Sequence, residues 1–193
     1  MPSDIHASEA LPARDRILRT AHDLFYRDGV RATGVDRIIA ESGVAKLTFY
    51  RHFPSKNDLI KAYLELRHRL WMDWLNGELE RLRRRDWSVA TLLVAVFQEW
   101  FESEGYRGCA FLNAVVELEG VLPEVADIAK SHKDEMAETI SRLLPESEDR
   151  RGLAVAIAVA LDGSILRAQM ERDAVSALEA LDRILRALVK QQL

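Results

Sequence analysis

From residue 12 onward apolar residues recur at spacings of three and four, and no stretch sustains the alternation of a strand. The pattern predicts an all-α chain of about nine helices, each with its own start and stop signals. Pro12 opens the first, Ile17, Leu18, Ala21, Leu24 and Phe25 make its apolar face, and Gly29 ends it. A short second helix starts at Thr33 and Gly34, turns Val35, Ile38 and Ile39 inward and stops at Gly43. A third covers Lys46 to Phe53, ahead of Pro54. Ser55, with Asp58 three residues on, reads as the cap of a long fourth helix reaching toward Arg85. Ser88 opens a fifth that ends before Gly105, and Ala110 to Leu118 makes a sixth. Pro123 starts a seventh that runs to about Leu144. The last two cover Arg151 to Met170 and Val175 to Lys190, with Asp173 placed to cap the ninth.

Composition narrows the class. A chain of 193 residues that is 48% hydrophobic has the size of one domain carrying a small module and enough apolar residues for a core. Its single cysteine, Cys109, excludes an internal disulfide, a cysteine-based zinc finger and a CxxC redox pair. The first ten residues carry no basic start and no apolar stretch, so no secretory signal is expected there. The longest strongly apolar run, Leu153 to Leu161, is far short of a membrane span. A cytoplasmic protein without membrane contact is expected. The net charge of −4 conceals an asymmetry: residues 1–85 hold sixteen Lys/Arg against twelve Asp/Glu, and the remainder eleven against nineteen. A basic leading part on an acidic body suggests that only the former approaches a polyanion.

The second and third helices, Val35 to Ser42 and Lys46 to Phe53, have helix-turn-helix proportions, with Gly43 at the turn and Val44 as its plug. Phe49 and Phe53 face inward, which leaves Lys46, Leu47, Thr48, Tyr50, Arg51 and His52 on or near the surface. Cations and hydroxyls so arranged can reach phosphates and base edges. The residues also fit a longer pattern: F-x-x-x-G-x-x-x-T-x-V-x-x-I from Phe25 to Ile38, then G-V-x-K-x-T-F-Y-x-H-F-x-S-K-x-x-L from Gly43 to Leu59. In these positions the sequence resembles the DNA-binding domain of the TetR/AcrR family of bacterial transcriptional regulators, strongly over residues 14–63. The resemblance implies that Lys46 to Phe53 is a recognition helix in the major groove of an operator in double-stranded DNA. It implies phosphate contacts by Tyr50, His52 and Lys56, and contact with phosphate or a base by Thr48. Lys46, Leu47 and Arg51 stand at its variable positions and are the candidates for reading bases. Thr33, Gly34 and Arg37, around the start of the second helix, complete the expected DNA-contacting set. Gly34 and Ala45 depart from the Thr or Ser frequent at those places, which leaves a backbone N–H for phosphate in the first case and weakens a helix cap in the second.

The resemblance further implies a homodimer, closed by the last two helices, and a cavity for a small-molecule effector. Candidates for its wall are Trp71, Trp74, Phe97, Trp100, Phe101 and Phe111, with Asn113 as polar anchor and Glu117 beside it. The competing view is that aromatic residues at helical spacing fill a solid core. For the dimer interface the candidates are Val155, Val159, Ala160 and Gly163 on the eighth helix, and Leu181, Leu185 and Leu188 on the ninth. The histidines lack metal-ligand spacing, no nucleophile–base constellation is visible, and neither metal, cofactor nor enzymatic activity is expected. The domains read as a flexible arm at 1–9, the helix-turn-helix module at 10–58 and an effector-binding and dimerisation domain at 59–193. The expected function is a homodimeric, ligand-responsive regulator, most simply a repressor released from a palindromic operator. The alternative is a regulator of the same fold controlled by a partner protein.

Overall fold

The computed structural model describes residues 11–84, 86–118, 120–171 and 173–190. The arm expected at 1–9 lies outside them. Nine α-helices follow one another among the described residues: α1 (Ala13–Asp28), α2 (Val35–Ser42), α3 (Lys46–His52), α4 (Lys56–Leu82), α5 (Val89–Phe101), α6 (Ala110–Leu118), α7 (Glu124–Ser141), α8 (Arg150–Glu171) and α9 (Val175–Lys190). The expected all-α class holds, with an N-terminal helix-turn-helix and a helical C-terminal part.

The helix ends carry the predicted chemistry. Gly29 takes φ +91° at the close of α1, and Gly43 adopts the left-handed conformation, φ 64° and ψ 32°, that a side chain would oppose between α2 and α3. The Ser55 hydroxyl accepts the Asp58 N–H at 3.1 Å and fixes the start of α4. Ser88 does the same for Thr91 at 3.1 Å, and Asp173 for Val175 at 3.0 Å. Two helices end early: α4 stops at Leu82, short of Arg85, and α7 stops at Ser141, not Leu144. The N–H groups of Leu143 and Leu144 bond back three residues, to Ile140 and Ser141. The chain tightens into a 3₁₀-like turn ahead of Pro145, which disfavours helix in the residue before it.

The contacts divide the described chain into two compact units, and not at the 58/59 boundary read from sequence. One contains the residues up to 70 together with 110–129; the other contains 71–109 and the residues from 130 on. Thus α6 belongs to the same unit as the first three helices. α4 runs unbroken from one unit into the other, with Leu59, Ile60, Tyr63 and Leu64 buried in its first half and Trp71, Met72, Leu75 and Leu79 in its second. Arg67 lies on the same buried stripe, its guanidinium 3.8 Å from the centre of the Tyr26 ring.

In the second unit α9 packs against α8 and α5. α8 is long and apolar enough, by length and composition, to cross a bilayer. It serves instead as a core helix on one face, where Leu153, Ile157, Leu161 and Ile165 are buried. Lys133 pairs with Asp162 midway along it.

Candidate nucleic-acid interface

α3 has seven residues and buries Phe49 completely. Its neighbours hold it: α1 packs against both α2 and α3, and Arg14 stacks over Phe53, 5.4 Å from the ring centre. The opposite face is open. Lys46 and Tyr50 lie one turn apart there, as do Leu47 and Arg51, and all four are exposed. Leu47 is 83% exposed, an apolar side chain of no use to the core and of the right kind to meet a thymine methyl. Tyr50 stands edge-on against Phe49 with ring centres 5.2 Å apart, so its direction is fixed from beneath. Thr48 and His52 are half-buried on the flanks, and Lys56 is half-buried at the first turn of α4. Burial pushes the Lys56 ammonium down from its ordinary pKa, opposed by the charge of Glu117. Lys46 meets Asp36 at 3.3 Å in an exposed pair, worth little and readily exchanged for a phosphate or a base.

A short, exposed helix bearing cations and hydroxyls, backed by one buried phenylalanine and set after a glycine turn, is the recognition element of a helix-turn-helix. Residues 17–63 match the family described as bacterial regulatory proteins, tetR family. Over these residues the chain carries a TetR-family DNA-binding domain. It is similar to the transcriptional activator FasR of Mycolicibacterium smegmatis, 32% identical over 133 residues, which is 67% of this chain and 59% of FasR. The transcriptional repressor KstR2 of the same organism is 29% identical over 100 residues, 52% of this chain and 47% of that protein. The chain thus spans about half the length of these curated relatives. A crystal structure of a TetR-family transcriptional regulator from Streptomyces coelicolor has the same fold, with a TM-score of 0.73 and 28% identity over 92% of this chain and 96% of that one.

Two of the expected DNA contacts have partners within the chain. Thr33 is fully buried, and its hydroxyl donates to the carbonyl of Gly29 at 2.8 Å. It pins the turn between α1 and α2 and is unavailable to a phosphate. Arg37 donates to Asp28 at 2.8 Å and to Glu41 at 2.7 Å, tying α2 to the end of α1. Hydrogen bonds from Arg27 first, and then from Arg37, hold the Asp28 carboxyl down at about 2. Gly34, by contrast, is exposed at the N-terminus of α2, as a backbone phosphate donor requires.

The expected effector wall also reads differently. Trp71, Phe97, Trp100 and Phe101 are buried and Trp74 half-buried in one aromatic cluster, with neighbouring ring centres 5.6–6.4 Å apart. At those separations the rings pack against one another, some edge to face and some tilted. Beside them, a cavity of about 560 Å³ is lined by Phe101, Ser103, Tyr106, Arg107 and the C-terminal end of α8 at Ala168 and Gln169. Tyr106, which periodicity did not single out, rests on Trp100 and Phe101 and donates to the Ile165 carbonyl at 2.7 Å. Phe111, buried, and Asn113, half-buried, stand on α6 in the other compact unit. Glu117 also belongs there and faces the DNA-binding module: it accepts the Arg31 N–H at 2.8 Å.

The candidate interface residues split in two. Leu181 and Leu185 are buried within their own chain, where α9 meets α8 and α5, and offer no surface to a second protomer. A heptad-like leucine row marks a face that must be covered, and here the same chain covers it. Val155, Val159 and Gly163 are exposed, and Ala160 and Leu188 half-buried.

Proposed function

We propose that the protein acts as a homodimer whose two α3 helices read a two-fold symmetric operator, and that a small apolar molecule releases this DNA and thereby relieves repression. The observation that carries the dimer is a stripe on α8: Val155, Val159, Leu166 and Met170 are exposed at spacings of four, seven and four, with Gly163 in line between them. Ile184 on α9, with exposed Ala180 one turn before it, adds a second row. An exposed apolar patch of this extent on an otherwise acidic half marks a partner surface. Small residues beside it favour close helix approach. The matching surface of a second copy completes a bundle, and its two-fold axis demands a palindromic site.

Val159→Glu combined with Leu166→Glu is therefore expected to turn a dimer into a monomer at micromolar concentration, read by sedimentation velocity. Each carboxylate buried without a partner costs about 1–3 kcal/mol or more. The variant should stay folded, because the buried face of α8 is untouched, and should lose operator affinity with the dimer. A wild-type protein that sediments as a monomer at that concentration, with and without DNA, would refute the bundle.

Support for the effector comes from Trp71. Its indole N–H is buried and makes no hydrogen bond among the described residues, at the centre of the aromatic cluster. A ligand with an apolar ring and one acceptor oxygen would satisfy it. In a thermal-shift screen a compound that raises the midpoint saturably is expected also to release DNA and to change tryptophan emission. Release with silent tryptophans would place the sensor elsewhere, and a screen without saturable hits would favour control by a partner protein.

A further inference from the structure

The turn between α1 and α2 is held by a residue from far along the chain. Glu117, on the last turn of α6, is 86 residues from Arg31 and shares a compact unit with it. Its Oε2 accepts the Arg31 backbone N–H at 2.8 Å, a charge-assisted bond of the stronger kind. Both carboxylate oxygens also lie 3.2 Å from where a Cβ on Gly29 would stand. With φ at +91°, Gly29 is required by its own backbone, and a Cβ there would also crowd the carboxylate packed on it. On the same turn the Thr33 hydroxyl ties down the Gly29 carbonyl. Six residues, 29 to 34, therefore connect α1 to α2 with one anchor inside the module and one on α6. The charge of Glu117 further favours the protonated state of Lys56, whose ammonium sits 6.0 Å from the Phe25 ring centre.

We propose that Glu117 is a positioning residue for operator recognition: its carboxylate ties α6 to the α1–α2 turn, sets the angle at which α2 and α3 approach DNA, and passes any movement of α6 to that face. The proposal rests on the reading of α3 as the DNA-binding element. It predicts that Glu117 governs preference for operator over other DNA more than it governs attraction to DNA as such. Loosening the turn disturbs the fit to base edges, whereas the phosphate attraction depends on the cations of α3 and α4.

The test uses the full-length wild type, Glu117→Ala and Glu117→Gln. The probes are a duplex enriched by the wild type from random DNA and a scrambled duplex of the same length. Glu117→Ala is expected to lower the ratio of the two affinities about fivefold or more, the lower end of ordinary coupling between sites. Exchange of the Arg31 amide, followed by hydrogen–deuterium exchange, should quicken in step. Glu117→Gln keeps an acceptor oxygen and should restore both the ratio and the protection of Arg31. An unchanged ratio in Glu117→Ala overturns the proposal, and so does unchanged exchange at Arg31. A parallel fall in both affinities, the mark of a merely structural carboxylate, overturns it too. Were the wild type to enrich no sequence, the reading of α3 would fail, while exchange at Arg31 would still decide whether Glu117 holds the turn.

Discussion

Phe49→Ala is expected to abolish sequence-specific DNA binding while leaving the unit of residues 71–109 and 130–193 folded. α3 is seven residues long, too short to persist in water on propensity alone. Phe49 is its one buried residue and is fully excluded from solvent, and the edge of Tyr50 rests on its ring. Removing a buried phenyl ring costs about 3–5 kcal/mol, most of what a small module possesses. Circular dichroism should show a small loss of helix, and amide exchange should show that loss confined to α1–α3. Operator affinity should fall to the level of scrambled DNA. Phe49→Leu, which refills much of the space, should recover most of the binding. Full operator affinity in Phe49→Ala would mean that α3 is held by something other than its core contact.

The helices were legible because their ends are written in local chemistry. Ser55, Ser88 and Asp173 each cap the helix that the sequence assigns to them. Gly29 and Gly43 take the positive φ that their places in the pattern require. The exposed face of α3 was legible for the same reason, since Phe49 at its centre fixes which side looks outward. Partners were not legible. Periodicity names the face that must be covered and is silent about what covers it. So Leu181 and Leu185 were matched to a second subunit when α5 and α8 of the same chain enclose them. Of the apolar residues that remain open, Val155 and Val159 follow from the pattern of α8, whereas Leu166, Met170 and Ile184 do not stand out in it.

Long-range polar contacts escaped for a related reason. Nothing local in Glu117 shows that its carboxylate meets the Arg31 N–H. A buried arginine such as Arg67 looks like any surface cation until Tyr26 is seen beneath it. Thr33 is the instructive case, because the motif position is right and the hydroxyl is spent within the turn. A signal was present: Gly29 and Thr33 stand four apart in the pattern, the reach of one hydroxyl to one carbonyl across a turn.

The second large effect is expected at the open face of α3. Lys46→Ala combined with Arg51→Ala should remove operator preference, because a good bidentate base contact is worth about 1–3 kcal/mol and a dimer would lose two from each half-site. Salt dependence then separates the two roles these cations can play. Each lost phosphate contact flattens the plot of log affinity against log salt by about 0.9. If Lys46 and Arg51 read bases, preference collapses and the slope on scrambled DNA stays near the wild-type value. If they neutralise phosphates, the slope flattens and preference persists in what binding remains. Geometry favours the first outcome for Arg51, which projects beside Leu47 on the exposed face one turn away. Tyr50 and Lys56 are the contrasting pair. Lys56, half-buried at the first turn of α4, stands off the row formed by Leu47 and Arg51, where a backbone phosphate would lie. Lys56→Ala should accordingly weaken operator and scrambled duplex alike and flatten both slopes. Should Lys46→Ala with Arg51→Ala leave the order of preferred sequences intact, base reading would belong to other residues of α3, Leu47 and Thr48 first among them.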